Sequence, residues 1–189
     1  MKQTIAILTI ILAVFCLSPL FGTDRTPINV NLIIDGSSAF TAAKAEITTW
    51  VNGRLDQILA NGDRVTVWSA GTTASVIYSG TVNSPADRET VKARIREISG
   101  SGETADFSGA LREASAGAAA AGAGALQSPS FSYTLLISAS PESLSSVLSG
   151  PQASHLRFSR IEEFPRWRAV VVGLNLDSRV RRAASAFMN

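Results

Sequence analysis

The sequence is poor in side chains for soft-ligand and redox chemistry. Its 189 residues include one cysteine, Cys16, and one histidine, His155. A single thiol rules out an intramolecular disulfide framework and a Cys-rich zinc site. Because Cys16 sits in an apolar N-terminal stretch, the remainder has no thiol nucleophile either. One histidine leaves little for a multi-histidine metal centre, and a Ser–His–Asp triad would need His155 as its base. Lysine is also scarce, at 3 residues against 14 arginines. The net charge is only +2, so the sequence pI of about 9.0 reflects a small excess of bases and gives no basis for a nucleic-acid partner. No Gly-x-Ser-x-Gly elbow and no P-loop occurs, and Gly122-Ala123-Gly124 lacks the preceding strand and third glycine of a dinucleotide site. What is present is a 46 % hydrophobic chain, long enough to bury a sizeable core.

The N-terminus reads as an export signal. Lys2 precedes an uncharged stretch, residues 3–23. Within it, the apolar run Ile5 to Cys16 is about a dozen residues, a signal h-region's length and short of the ~20 that span a bilayer. Ser18 and Pro19 interrupt the run, and Gly22 offers a small residue for cleavage. The expected organisation is a signal peptide over 1–22 and one domain over 28–189, placed in the periplasm or cell envelope. An uncleaved membrane anchor is the alternative; acylation of Cys16 is opposed by the bulky Phe15 before it.

Beyond residue 28, strand and helix patterns alternate. Ile28 to Ile34 is short, apolar and β-branched, as a central strand buried on both faces should be. From Ser38, the residues Phe40, Ala43, Ile47, Val51, Leu55 and Ile58 form one apolar helical stripe, with Gly62 of Asn61-Gly62-Asp63 as a left-handed cap. Val65–Trp68 and Ala74–Tyr78 flank Gly71-Thr72-Thr73, too short a link for anything but antiparallel pairing. Ser84-Pro85-Ala86-Asp87 combines an N-cap, a proline at the first helical position and an acid three residues after the cap, followed by inward Val91, Ile95 and Ile98. A helix starts near Asp106 or Phe107, and Ala114–Ala125 should fray from helix into loop. Phe131–Ser138 and Ala169–Leu174 are strands, with one short helix and two loops over 144–165. Asp177–Phe187 is a closing helix. The fold class is α/β: a doubly wound, mostly parallel sheet with one antiparallel edge hairpin and helices on both faces.

In such sheets ligands bind outside the carboxyl ends of the strands. The loops there are Asp35–Ala39, Ser101–Asp106 and Ser138–Glu142, which offer Asp35, Ser37, Thr104, Asp106 and Glu142. Hard oxygens of this kind suit Mg²⁺, Ca²⁺ or Mn²⁺. Over about residues 28–189 the chain resembles the von Willebrand factor type A (vWA) domain. Asp35 and Ser37 match the family's Asp-x-Ser-x-Ser, with Ala39 at the second serine. Gly102 to Leu111 looks like the family's Gly-Thr-Asp-Phe-Ser-x-Ala-Leu segment with a small insertion, and Leu135 to Ser140 matches the third strand without the Asp of Thr-Asp-Gly. The resemblance implies a degenerate metal-ion-dependent adhesion site with Asp35, Ser37 and Thr104 as metal residues and Mg²⁺ as the ion. It also implies a non-enzymatic module that binds a protein partner.

Each residue has a plainer reading. Asp35, Ser37, Thr104 and Asp106 can all cap helices, Trp50 and Trp68 can be packing residues, and His155 an ordinary surface histidine. Trp167, beside Pro165, is a surface-contact candidate. The enzymatic alternative is metal-assisted phosphoryl transfer at Asp35 or hydrolysis through His155, but Ser37 stands where a phosphatase of this pattern needs a second acid. A structural envelope protein with a decayed site is a third reading. Residues 151–189 carry seven arginines against three acids, which fits a solvated helix face, an acidic partner, or association with anionic headgroups at a membrane surface.

Overall fold

The computed structural model describes residues 26–124, 131–149 and 167–173. The expected signal peptide, Cys16, His155, the closing helix over 177–187 and most of the Arg-rich region lie outside the described residues. The elements are β1 (Asn29–Asp35), α1 (Ser38–Ile58), β2 (Arg64–Ala70), β3 (Ala74–Thr81), α2 (Pro85–Arg96), α3 (Phe107–Gly124), β4 (Ser132–Ser138), α4 (Pro141–Ser149) and β5 (Trp167–Gly173). The five strands are ordered β3-β2-β1-β4-β5, and every pairing is parallel except β2 with β3 at one edge. This is the doubly wound α/β sheet that the alternation implies.

β1 is central because both its faces can be buried. Val30, Leu32 and Ile34 face α1 and α2, where Phe40, Ile47, Val51, Leu55, Val91 and Ile95 pack on them. Ile33 points to the other side, against Phe107, Ala110, Leu111 and Ala114 of α3 and Val147 of α4. Each fully buried Ile or Leu side chain contributes roughly 1.5–3 kcal/mol. The small Ala110 and Ala114 allow α3 to lie close to the sheet. α3 is helical through the Ala- and Gly-rich stretch to Gly124, where alanine's propensity outweighs the interspersed glycines.

Local chemistry sets the ends. Ser84 and Asp87 form a complete capping box: the Ser84 hydroxyl accepts from the Asp87 N–H, and the Asp87 carboxylate accepts from the Ser84 N–H at 2.8 Å. Lys92 then ties α2 to α1 through Asp56 at 2.7 Å. α1 ends at Ile58 with Leu59 extended, so Gly62 (φ +92°) serves the following turn and does not cap the helix. In that turn Asp63 is fully buried, accepting from Ala60 N–H at 2.8 Å and Ile28 N–H at 3.0 Å. It pins the start of β1 to the turn before β2.

Ser84→Ala should lower the unfolding free energy by about 1 kcal/mol in urea denaturation. The N–H of Asn83 and then the Ser84 hydroxyl hold Asp87 below the ordinary carboxylate pKa. A depressed pKa stabilises fully above the ordinary value and is lost as pH falls through the folded one, so the gap to wild type should narrow in acid.

Candidate functional site

The parallel strands β1, β2 and β4 end together, since Asp35 pairs with Ala70 and Ile34 with Ile137. β1 crosses over to β2 on one side, while β4 is its neighbour on the other. The chain therefore leaves the end of β1 at the point where strand order reverses, the usual place for a site in this architecture.

Asp35 is the last residue of β1 and is 0 % exposed. Its Oδ1 accepts from the Ser37 N–H at 2.8 Å. Its Oδ2 accepts from the Ser138 hydroxyl at 2.9 Å and from the N–H groups of Ala139 and Ser140, each at 3.2 Å. One buried carboxylate thus joins the first and third loops. A buried anion is tolerable when donors surround it in this way.

The second loop is joined by backbone. Ser101 N–H donates to Gly36 O and Ser38 N–H to Gly102 O, both at 2.8 Å. A Cβ on Gly100 would overlap the Ser37 carbonyl oxygen, so the approach needs glycine there. Ala105 N–H donates to the Ser143 hydroxyl at 2.8 Å, which links the second loop to α4. Ser140 caps α4 by accepting from the Ser143 N–H at 3.1 Å. Asp106 caps α3, accepting from the Gly109 N–H at 2.8 Å, as its plainer reading supposed.

Three of the sequence-level candidates therefore share one region with different exposures. Asp35 and Ser37 are buried, and Thr104 is exposed on the second loop. Ser37 occupies the N-cap position of α1, but its hydroxyl makes no cap bond and has no hydrogen-bond partner. This corrects the expectation that Ser37 caps the helix through its side chain. Trp50 and Trp68 are half-buried packing residues, as expected. Sequence reasoning missed Ser138 and Ser140 as donors to Asp35 and Ser143 as the acceptor that ties the second loop to α4. The signal available was Ser140-Pro141, the same cap-and-proline pattern as Ser84-Pro85.

As donors for a hard divalent cation these residues fall short. Such ions want about six oxygens, usually with one or two carboxylates. Among the described residues Asp35 is the one acid at the centre, and four protein donors occupy it. Asp106 is spent on its helix cap, Glu142 is exposed, and Ala39 and Ala139 have no side-chain oxygen. Ser37 Oγ is buried and has no hydrogen-bond partner among the described residues. Among the described residues, no three of His, Cys, Asp and Glu are grouped to hold a metal.

No family model and no curated protein matches the sequence. Solved structures do match the fold. A von Willebrand factor type A protein from Catenulispora acidiphila superposes with a TM-score of 0.57 at 14 % identity, over 86 % of this chain and 37 % of that one. The manganese-loaded TRAP protein of Plasmodium vivax gives 0.57 at 13 % identity, over 84 % and 63 % respectively. The conserved hypothetical protein BatB of Bacteroides thetaiotaomicron gives 0.55 at 14 %, over 77 % and 66 %. The chain thus spans less than two thirds of each of these structures. At these identities the likeness is one of fold, and the fold is that of the vWA domain.

Asp35→Ala would leave the N–H groups of Ser37 and Ala139 without their acceptor, while the Ser138 hydroxyl keeps the Ser140 carbonyl at 3.1 Å and the Ser140 N–H keeps the Ser138 hydroxyl at 3.0 Å. At about 1–3 kcal/mol for each buried orphan, the loss in urea denaturation should be about 2 kcal/mol or more. A loss under about 1 kcal/mol would mean that the donors find other acceptors.

Proposed function

We propose that this vWA-fold domain is a non-enzymatic protein-binding module, exported by its 1–22 segment, that engages a partner through the loops around Asp35, Ser37 and Thr104. The observation that carries the reading is the joining of three loops from different strands into one braced surface. Asp35 and Ser37 sit beneath it, while Glu103 and Thr104 lie exposed on it. A preformed, rigid surface loses little conformational freedom when a partner docks. Binding and catalytic residues also concentrate on loops held by a rigid scaffold.

The enzymatic reading is less well supported. A nucleophilic carboxylate must reach its substrate, and Asp35 is fully buried with its oxygens engaged. Among the described residues, no helix is long and apolar enough to cross a membrane.

A photo-crosslinking residue at Thr104 should capture a partner in cells, whereas one at Asn61, exposed in the turn at the opposite end of the sheet, should not. Equal capture at both positions would remove the case for the strand-end loops. Turnover above background across a phosphatase and esterase substrate panel would replace the binding reading with the enzymatic one.

A further inference from the structure

We infer that the centre of this site is closed by hydrogen bonds and holds no divalent cation, so that the loops keep their shape without one. Two observations carry this beyond the missing sequence positions. The first is how the Asp35 charge is used. A cation at the strand ends would draw on this carboxylate, yet Oδ2 already faces three donors from residues 138–140 and Oδ1 faces the Ser37 N–H. The second is internal to the fold. At the opposite end of the sheet, Asp63 is equally buried and also gathers backbone N–H groups from two segments, Ala60 and Ile28. Both aspartates act as anionic staples, one at each end of β1.

The oxygens that would draw a cation to Asp35 are absent for a local reason. Ala39 is the second residue of α1 and Ala139 follows β4, and neither carries an oxygen beyond its backbone. Ala139 donates its N–H to Asp35, so its own side chain starts beside the carboxylate. Beside Asp35, the candidate oxygens that remain are the buried, unpartnered Ser37 Oγ and the hydroxyl of the exposed Thr104. Asp35 is a single carboxylate already engaged by four donors, and the hydroxyls of Ser37 and Thr104 add no charge, which is little to hold Mg²⁺ or Mn²⁺, ions usually bound through one or two free carboxylates. The inference concerns the isolated domain and stands whether or not the protein-binding reading holds.

The test is titration of the EDTA-stripped wild-type domain with Mg²⁺ and with Mn²⁺, followed by calorimetry and by thermal melting. No saturable heat and no change in melting temperature are expected. Saturable binding with a dissociation constant of about 1 mM or tighter, weakened in Ser37→Ala, would overturn the inference. Ser37→Ala should fold, because its hydroxyl makes no hydrogen bond. The double variant Ala39→Ser/Ala139→Asp supplies the two absent oxygens and should gain Mn²⁺ binding. If it folds, as judged by circular dichroism, and stays silent, the explanation from missing ligands is wrong. If it does not fold, the wild-type titration alone decides.

Discussion

A carboxylate with no access to water must find its solvation in the protein, and around Asp35 that need organises the strand-end face. Burying an uncompensated charge would cost several kcal/mol. The four donors that compensate it come from Ser37 and from residues 138–140. Meeting that requirement fixes where the third loop lies relative to the first. The second loop then closes on the first through backbone bonds at Gly36 and Gly102, at a distance that Gly100 alone permits. Removing the charge would take away the direct tie between the first and third loops, while the backbone bonds of the second loop and the apolar core beneath would remain.

That core is what makes the staple effective. β1 is packed on both faces, so its end cannot shift without disturbing Leu32, Ile33 and Ile34, all at most 1 % exposed. Asp35 is therefore held at a fixed point, and the loops adjust to it. Asp63 does the corresponding work at the start of the strand. The central strand is thus tied by a buried acid at each end. The two differ in setting, because only Asp35 stands where strand order reverses and loops from both sides meet.

Much of the fold was legible because its signals are local. The stripe from Phe40 to Leu55 repeats at helical spacing, and those residues are the ones buried in α1. Ser84, Pro85 and Asp87 announce the start of α2 within four residues, and the short Gly71–Thr73 link permits only an antiparallel edge pair. Where the reading erred, a local rule met a tertiary competitor. Gly62 has the left-handed backbone of a cap but serves the turn that Asp63 organises. Ser37 has the position of an N-cap, yet its own N–H is turned to Asp35 and its hydroxyl is left unpartnered.

By itself, then, the sequence determined the class of the sheet, the caps of α2 and α3, and the poverty of soft ligands that leaves oxygen chemistry at the strand ends. These depend on periodicities and spacings within a few residues. Only the tertiary structure decided what Asp35 does. Its partners at Ser138, Ala139 and Ser140 lie 103 to 105 residues away, and no local pattern ties the two segments. The pairing of β1 with β4 brings them together, and burial then obliges the carboxylate to take the donors it finds there.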